Sequence, residues 1–163
     1  MRTKAELLAA LEATRDEVVS GCTGLDLSTG VYEGGWNGHQ LLAHIASMEW
    51  TYPRILELPA ATDAEAARPR DTSVTVDDYN RRQVERRAGV SAADLIAEFA
   101  RNREQTIAAV AAHHEEGFER RVRSAGGTVG SLADVLWFVA VEHVRGHLAD
   151  LSGSDGERAT IDS

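Results

Sequence analysis

With 163 residues, of which 43% are hydrophobic and 26% charged, the chain has the size and composition of one globular domain. Its 26 acidic residues outnumber its 17 lysines and arginines, and the net charge of −9 argues against nucleic acids and anionic membranes as partners, because both are themselves negative. The single cysteine excludes an internal disulfide, and the sequence shows neither a signal peptide nor a long apolar run, so we expect a cytoplasmic location.

The first predicted helix begins at Thr3. Thr3 and Glu6 have the spacing of a capping box, in which each side chain accepts a hydrogen bond from the other residue's backbone N–H. An apolar face follows at helical spacing, formed by Leu7, Leu8 and Leu11. Gly21 is predicted to end this helix, and a polar loop extends to about Gly35.

The second predicted helix begins near Asn37, with Gln40 three residues later. Its apolar stripe alternates steps of four and three residues, through Leu41, Ile45, Met48, Tyr52 and Ile55. Pro53 falls inside this stripe, so the helix either kinks there or ends near Tyr52 and resumes. Residues 59–73 are predicted to form a linker, since they are rich in alanine, aspartate and proline.

Two further helices are predicted in the middle of the chain. The third is announced by Thr75 and Asp78, runs to about Ala88 and is highly charged. The fourth opens with Ser91 and Asp94 and reaches about His114. Its apolar stripe consists of Leu95, Ile96, Phe99, Ile107 and Val110.

The fifth predicted helix is capped by Ser131 and runs to about Ser152. Residues 117–130 before it carry four glycines and are predicted to form a loop with room for a short extended stretch. The first, second, fourth and fifth helices are long enough for an all-α four-helix bundle, with the third helix in the crossover. We expect this bundle over residues 1–153 and a disordered tail over 154–163.

Two histidines lie on the predicted inward face of the fifth helix. The stripe reads Leu132, Leu136, Ala140, His143, His147 and Leu151. His143 and His147 are four residues apart, so they lie about 40° apart around the axis and about 6 Å apart along it. His44 flanks the inward face of the second helix. Three neutral imidazoles in a core are costly unless each has a partner, and a divalent cation would supply one to every ring.

Simpler roles for the histidines stay open. Pairs at this helical spacing are common by chance, and the rings could be core residues hydrogen-bonded to the backbone or to Glu49. His113 and His114 end the fourth helix, where a cation suits the helix dipole. His39 lies in the first turn of the second helix, on a different face from His44, and is predicted to be exposed.

Three segments resemble the DinB-like superfamily. Trp36, the run from Leu41 to Ala46 and Trp50 are similar to its second-helix motif, and residues 142–151 are similar to its last-helix motif. The run from Asp78 to Arg82, with residues 91–110, resembles the N-terminal domain of mycothiol-dependent maleylpyruvate isomerase. The resemblance covers about residues 3–152, and it depends on the joint order and spacing of short motifs.

The resemblance implies a four-helix bundle with one divalent ion on His44, His143 and His147. Nickel or zinc is the implied metal, with manganese and iron as alternatives. The isomerase has a second, C-terminal domain that contributes to its active site, and these 163 residues leave no room for one. Maleylpyruvate isomerisation itself is therefore not the expected reaction. A homodimer is expected, because small soluble domains most often assemble in this way and the resemblance agrees.

The leading functional hypothesis is a metal-dependent enzyme that acts on a small molecule, by thiol transfer or by hydrolysis. A low-molecular-weight thiol is the substrate that the resemblance implies. Candidate bases are Glu33, Glu49 and Asn80, although residues of these types are more often solvated or capping residues. The alternative is a non-catalytic dimeric protein that binds or sequesters a small molecule. Its apolar pocket could be lined by the chain's tryptophans, Trp36, Trp50 and Trp137, although such residues are more often plain core aromatics.

Overall fold

The computed structural model describes residues 2–28, 30, 35–69 and 76–153. Most of them are helical, in α1 (Lys4–Cys22), α2 (Gly38–Glu49), α3 (Asp63–Ala66), α4 (Val76–Glu85), α5 (Ala92–Ala112), α6 (Leu132–Trp137) and α7 (His143–Gly153). The other described elements are two 3₁₀ helices (Tyr52–Glu57 and Glu115–Glu119), a π turn (Phe138–Glu142) and two strands, β1 (Arg121–Arg123) and β2 (Val129–Ser131). The predicted cap at Thr75, the candidate base Glu33 and the tail from residue 154 onward lie outside the described residues.

The predicted helix starts are confirmed by their caps. At four starts the side chain of the N-cap residue accepts a hydrogen bond from the backbone N–H three residues on, namely at Thr3, Asn37, Ser91 and Ser131. Each such cap stabilises its helix by about 1 kcal/mol. The helix ends differ more from prediction. In α1 the chain turns only after Cys22, and the left-handed residue there is Gly24 (φ 81°), not Gly21.

Pro53 ends the second helix early, which was one of the two predicted outcomes. The α-helical hydrogen bonding of α2 stops at Glu49, and the chain continues as the 3₁₀ helix Tyr52–Glu57, with Pro53 near its start. Proline is tolerated in a first turn because the N–H that it lacks would have no partner within the helix. The buried side chains of Tyr52 and Leu56 therefore still face the core.

Two segments predicted as linker and loop contain regular structure. Within residues 59–73, Thr62 and Glu65 form a capping box that starts the short helix α3. Within residues 117–130, β1 and β2 pair antiparallel, with Val122 opposite Gly130. The strands agree with the short extended stretch allowed for this loop, whereas α3 was not predicted, because each element is too short to show a hydrophobic period. They also depend on each other, since the N–H of Ala61 donates to the carbonyl of Arg121.

The long helices form the predicted all-α bundle. Both α1 and α2 pack against α5 and against α7, so α1 and α2 occupy opposite corners, and α4 lies against α2 in the crossover. Glu17 of α1 and Arg145 of α7 add a two-pronged ion pair across one of these contacts. Within the described ranges, no helix is both long and apolar enough to cross a membrane.

A π turn interrupts the helix predicted to run unbroken from Ser131 to Ser152. It occupies Phe138–Glu142, between α6 and α7. Because a π turn takes one more residue than an α turn, everything after it is rotated relative to a continuous helix. The predicted inward stripe differs from the structure at one position: His143 is exposed, and its neighbour Val144 is buried. His147 and Leu151 are buried as predicted.

A polar layer crosses the middle of the bundle. The buried apolar residues form two clusters, one around Leu7, Leu11 and Leu136 and one around Leu41, Phe99 and Val144. Between the two clusters, three helices each contribute fully buried polar side chains, Thr14 from α1, Glu49 from α2, and Arg103 and Thr106 from α5. Buried polar groups at this depth must bond to one another, and they fix how the helices are aligned.

Candidate metal centre

Three histidine side chains converge at one place between α2 and α7. Nε2 of His143 lies 2.8 Å from Nε2 of His147 and 3.4 Å from Nε2 of His44. One ligand atom from each ring lies within 4.8 Å of the other two. These are the three residues that the sequence singled out. They come from two helices, and His44 and His143 are 99 positions apart in the chain. The arrangement offers one small cation three nitrogen donors at once.

The local structure gives the three rings different surroundings. His44 lies inside α2, after the Asn37 cap, and is 3% exposed. His147 is one turn into α7 and is 9% exposed. His143 is the first residue of α7, directly after the π turn, and is exposed. The cluster is thus buried on one side and open to solvent at His143.

Burial keeps two of the rings neutral. It lowers the pKa of His44 to about 3, with smaller contributions from His147 and His143. It also lowers the pKa of His147 to about 4, where His143 adds to the effect and Asp150 opposes it. A metal ion binds the neutral form of imidazole, so the two buried rings are already in the form that a ligand needs.

The outward-facing nitrogens differ in their partners. Nδ1 of His44 is buried and has no hydrogen-bond partner within the described part of the chain. Nδ1 of His147 lies 3.9 Å from Oδ2 of Asp150, beyond hydrogen-bond distance but close enough for attraction. The indole of Trp36 packs beside His44, with ring centroids 5.0 Å apart, and closes the apolar side of the cluster.

Residues 10–151 match the family model of the DinB superfamily. The chain belongs to the DinB superfamily. The family predicted from the sequence is thereby confirmed, and so is the helical bundle that comes with it. No curated protein matches the chain.

Two solved structures share the DinB fold. The crystal structure of the mycothiol-dependent maleylpyruvate isomerase superposes with a TM-score of 0.67 at 16% sequence identity, over 93% of this chain and 63% of that one. YfiT from Bacillus subtilis, described as a probable metal-dependent hydrolase with an unusual four-helix bundle topology, superposes with a TM-score of 0.69 at 18% identity, over 94% of this chain and 87% of that one. The present chain thus spans less than two thirds of the isomerase's length.

The spacing of the three nitrogens in this DinB protein fits a metal ion. With metal–nitrogen bonds of about 2.1 Å, two ligands of one ion lie about 3.0 Å apart at a right angle and about 3.4 Å apart in a tetrahedron. The two measured separations are 2.8 and 3.4 Å. Without a cation, Nε2 of a neutral His143 can form a hydrogen bond to only one of the two nitrogens that face it. The other pair then has neither a proton nor a cation between its atoms. The donor set, the separations and the neutral rings therefore all suit a divalent ion.

Glu49 has a different place from the one predicted. It is 0% exposed, and its carboxylate accepts hydrogen bonds from Nη2 of Arg103 (2.8 Å) and from the hydroxyl of Thr106 (3.0 Å). Burial raises the pKa of Glu49, while Arg103 and then Thr106 lower it. The carboxylate of Glu49 is thus bonded to Arg103 and Thr106, and no bond from it to a histidine ring is present among the described residues.

The other candidate site residues are spread over the DinB bundle. The guanidinium group of Arg54 lies over the ring of Trp50, 4.4 Å from its centroid. That of Arg2 lies over the ring of Trp137, at 3.9 Å. Asn80 is half-buried on α4, which carries none of the three histidines, and its Oδ1 has no hydrogen-bond partner in the ranges described. Among the three tryptophans predicted for a pocket, Trp36 is the one that packs against the cluster.

The remaining histidines lie apart from the cluster. His39 was predicted to be exposed but is half-buried, and its Nε2 lies 2.7 Å from the carbonyl oxygen of Val90. This contact ties the start of α2 to the turn before α5. His113 caps the end of α5 and meets the ring of Phe118 edge-on, and His114 begins the next 3₁₀ helix. Their structural roles agree with the sequence interpretation.

Sequence reasoning missed Arg103. The buried face of α5 is Leu95, Phe99, Arg103, Thr106 and Val110, which has steps of four, four, three and four residues. Arg103 therefore occupies a position that helical spacing reserves for an apolar side chain, and this conflict was visible in the sequence. A stripe drawn through apolar residues alone passes over it and uses Ile107 instead.

Proposed function

We propose that this DinB protein is a metal-dependent enzyme that holds one divalent ion on His44, His143 and His147 and acts on a small molecule by thiol transfer or hydrolysis. The observation that supports it most directly is the convergence of three ring nitrogens from two helices, with Nε2 separations of 2.8 and 3.4 Å. Three imidazole donors suit nickel or zinc. They can also bind manganese or iron, with lower affinity.

Three protein ligands leave coordination positions free for water or substrate, which is the pattern of a catalytic metal site. When bound, such an ion lowers the pKa of a coordinated water or thiol and polarises a carbonyl or leaving group. The exposure of His143 puts the open side of the cluster toward solvent. A small molecule would approach from that side, while the buried side is already filled by α2 and Trp36.

The chain's own residues would each have a distinct role. His44 and His147 are held neutral by burial and fix the inner half of the site. Trp36 excludes water from the flank of His44 and limits rotation of its ring. Asp150 attracts the proton on Nδ1 of His147, which favours the tautomer whose Nε2 is free to bind an ion.

The fold neighbours agree with this class of chemistry. One is named as a mycothiol-dependent isomerase and the other as a probable metal-dependent hydrolase. We carry over only the dependence on a thiol and the class of hydrolysis, because the sequence identities are 16% and 18%. A low-molecular-weight thiol is the substrate that we propose first, since its sulfur is a good ligand for the same metals.

The test uses purified, untagged protein loaded with one equivalent of nickel or zinc. Mycothiol, cysteine and glutathione are each mixed with 1-chloro-2,4-dinitrobenzene, and p-nitrophenyl acetate serves as the hydrolysis probe. We expect at least one reaction to be accelerated by the loaded protein and to return to the background rate after chelation. A protein that binds metal but accelerates none of them would contradict the enzyme proposal in favour of a non-catalytic binding protein.

A further inference from the structure

The polar layer of the bundle is centred on Arg103. This side chain is 0% exposed, and so is its partner Glu49. Nη2 of Arg103 donates to Oε2 of Glu49 at 2.8 Å, and Nε lies 2.8 Å from Oε1. Stability alone does not explain an ion pair in such a place. Removing two charges from water usually costs more free energy than their attraction recovers, and apolar residues of similar volume often give an equally stable protein.

The remaining donors of Arg103 reach the other two bundle helices. Nη2 also donates to the carbonyl oxygen of Ala140 at 2.7 Å, and Nη1 donates to the carbonyl oxygen of Leu11 at 3.4 Å. Arg103 itself belongs to α5. One side chain therefore contacts α1, α2 and the π turn at the same time, and the shortest of these bonds is the one to the π turn.

The bond to Ala140 falls directly before a proposed metal ligand. Ala140 lies in the π turn Phe138–Glu142, and His143 is the residue that follows this turn. Because His143 directly follows the π turn, the geometry of the turn determines where the His143 ring lies. π turns are less stable than α-helix and are frequent at functional sites, so a fixed external donor on one of their carbonyls stabilises the distorted form.

The contacts of Arg103 also reach α2, the helix that carries His44. Glu49 is the last residue of α2, the helix that carries His44, and its second oxygen accepts the hydroxyl of Thr106 at 3.0 Å. Glu49, Arg103 and the carbonyl of Ala140 thus connect the helix of one proposed ligand to the turn before another. A shift of the guanidinium would move these two elements relative to each other.

We propose that Arg103 is a positioning residue for the metal centre: held by Glu49, it fixes the π turn and thereby the placement of His143 relative to His44 and His147. This inference rests on the proposed function, because it concerns the same histidines. Arg103 touches neither the ion nor the substrate in this role. Groups that orient metal ligands from outside typically change the affinity for the metal by about 10- to 100-fold when they are removed.

The decisive variant replaces the whole pair by apolar residues, Glu49→Leu with Arg103→Met. It leaves no buried charge, so it should unfold in urea near the wild-type midpoint. Thr106 keeps a hydrogen bond to the carbonyl of Asn102, whereas Ala140 loses its donor. We expect Co²⁺ to bind about 10-fold or more weakly and its visible absorption bands to shift in position and intensity.

Leu7→Ala is the matched control for general loss of stability. Leu7 is a fully buried residue of α1, which carries none of the three histidines, so its truncation should lower the urea midpoint. The Co²⁺ spectrum and affinity of this variant should stay at the wild-type values. A conservative variant, Arg103→Lys, covers the case in which the double variant does not fold. A single ammonium cannot serve Glu49 and Ala140 in the geometry of the guanidinium, so weaker Co²⁺ binding is again expected.

The outcomes separate the two proposals. If wild type binds Co²⁺ and the double variant, or Arg103→Lys, binds it with the same affinity and spectrum, the positioning role is wrong and the metal site stands. If wild type binds no Co²⁺, the proposed function is wrong. Amide hydrogen exchange over residues 138–147 of the metal-free proteins then decides the structural part. Faster exchange in the double variant than in Leu7→Ala supports the role of Arg103 in holding the turn, and equal exchange overturns it.

Discussion

His143 and His147 face each other with their Nε2 atoms 2.8 Å apart, although one ring is exposed and the other is buried. The separation is short for two ring nitrogens, and it requires either a shared proton or a shared ion. His44 completes the set from a different helix, at 3.4 Å from His143. His44 and His147 are therefore buried, and His143 borders solvent.

Replacing His147 with alanine should remove metal binding. The change deletes a buried donor and the chelate formed with His143, while alanine preserves the helix. Untagged wild-type protein should carry close to one equivalent of nickel or zinc by elemental analysis, and His147→Ala should carry far less. His113→Ala is the matched control, because His113 is a helix-end histidine outside the cluster. Full metal content in His147→Ala would contradict the proposed site.

Much of the fold was readable because caps and helical spacing are local signals. The Thr3 and Asn37 capping boxes marked helix starts correctly, and the spacing of His143 and His147 brought two rings to one face. The prediction that His44 joins these two rings came from the inward stripe of its helix and from the family resemblance. Such signals depend on residues within one or two turns of each other, so a single sequence contains them.

Two features of the site were hidden because they depend on distant contacts. The π turn has no local sequence signal, and its carbonyl at Ala140 is held by Arg103 from another helix. Without it, the exposure of His143 could not be predicted. The Glu49–Arg103 pair was hidden for a related reason: the position of Arg103 on the apolar stripe of α5 can indicate burial, but its partner lies on another helix.

Truncating Arg103 alone should be strongly destabilising. Arg103→Ala leaves the carboxylate of Glu49 buried without its cation and also opens a cavity in the polar layer. Breaking a buried pair in this way costs about 3–5 kcal/mol of unfolding free energy. Urea denaturation followed by circular dichroism measures the loss.

The comparison with Glu49→Leu/Arg103→Met makes this prediction sharper. The double change should recover most of the stability, because it removes both charges together. An Arg103→Ala protein as stable as wild type would mean that the buried pair is not formed in solution.

Cys22 should be unreactive in the native protein. The sequence placed it in a polar turn, but it lies in the last turn of α1 and is 2% exposed. Burial raises the pKa of its thiol from 9.0 to about 11. The reactive thiolate at pH 8 is therefore about a hundredfold scarcer than in an unperturbed thiol. Labelling with a chromogenic disulfide reagent should be very slow at pH 8 and complete in denaturant, with faster native labelling as the pH rises toward 10. Rapid native labelling at pH 8 would contradict the burial of Cys22.

His143→Ala should separate metal binding from stability. His143 is exposed, so its side chain contributes little to the core, and its replacement should change the unfolding free energy of the metal-free protein by only about 0.5 kcal/mol. The same change removes the nitrogen that lies within 3.4 Å of both buried rings, and metal content should fall sharply. Elemental analysis and urea denaturation on the same preparation test both halves, with exposed His114→Ala as the control that should leave both values unchanged.

A His143→Ala protein that keeps a full equivalent of metal would show that His44 and His147 suffice without it. One that loses several kcal/mol when metal-free would show that the ring is packed in solution and that the π turn does not place it at the surface.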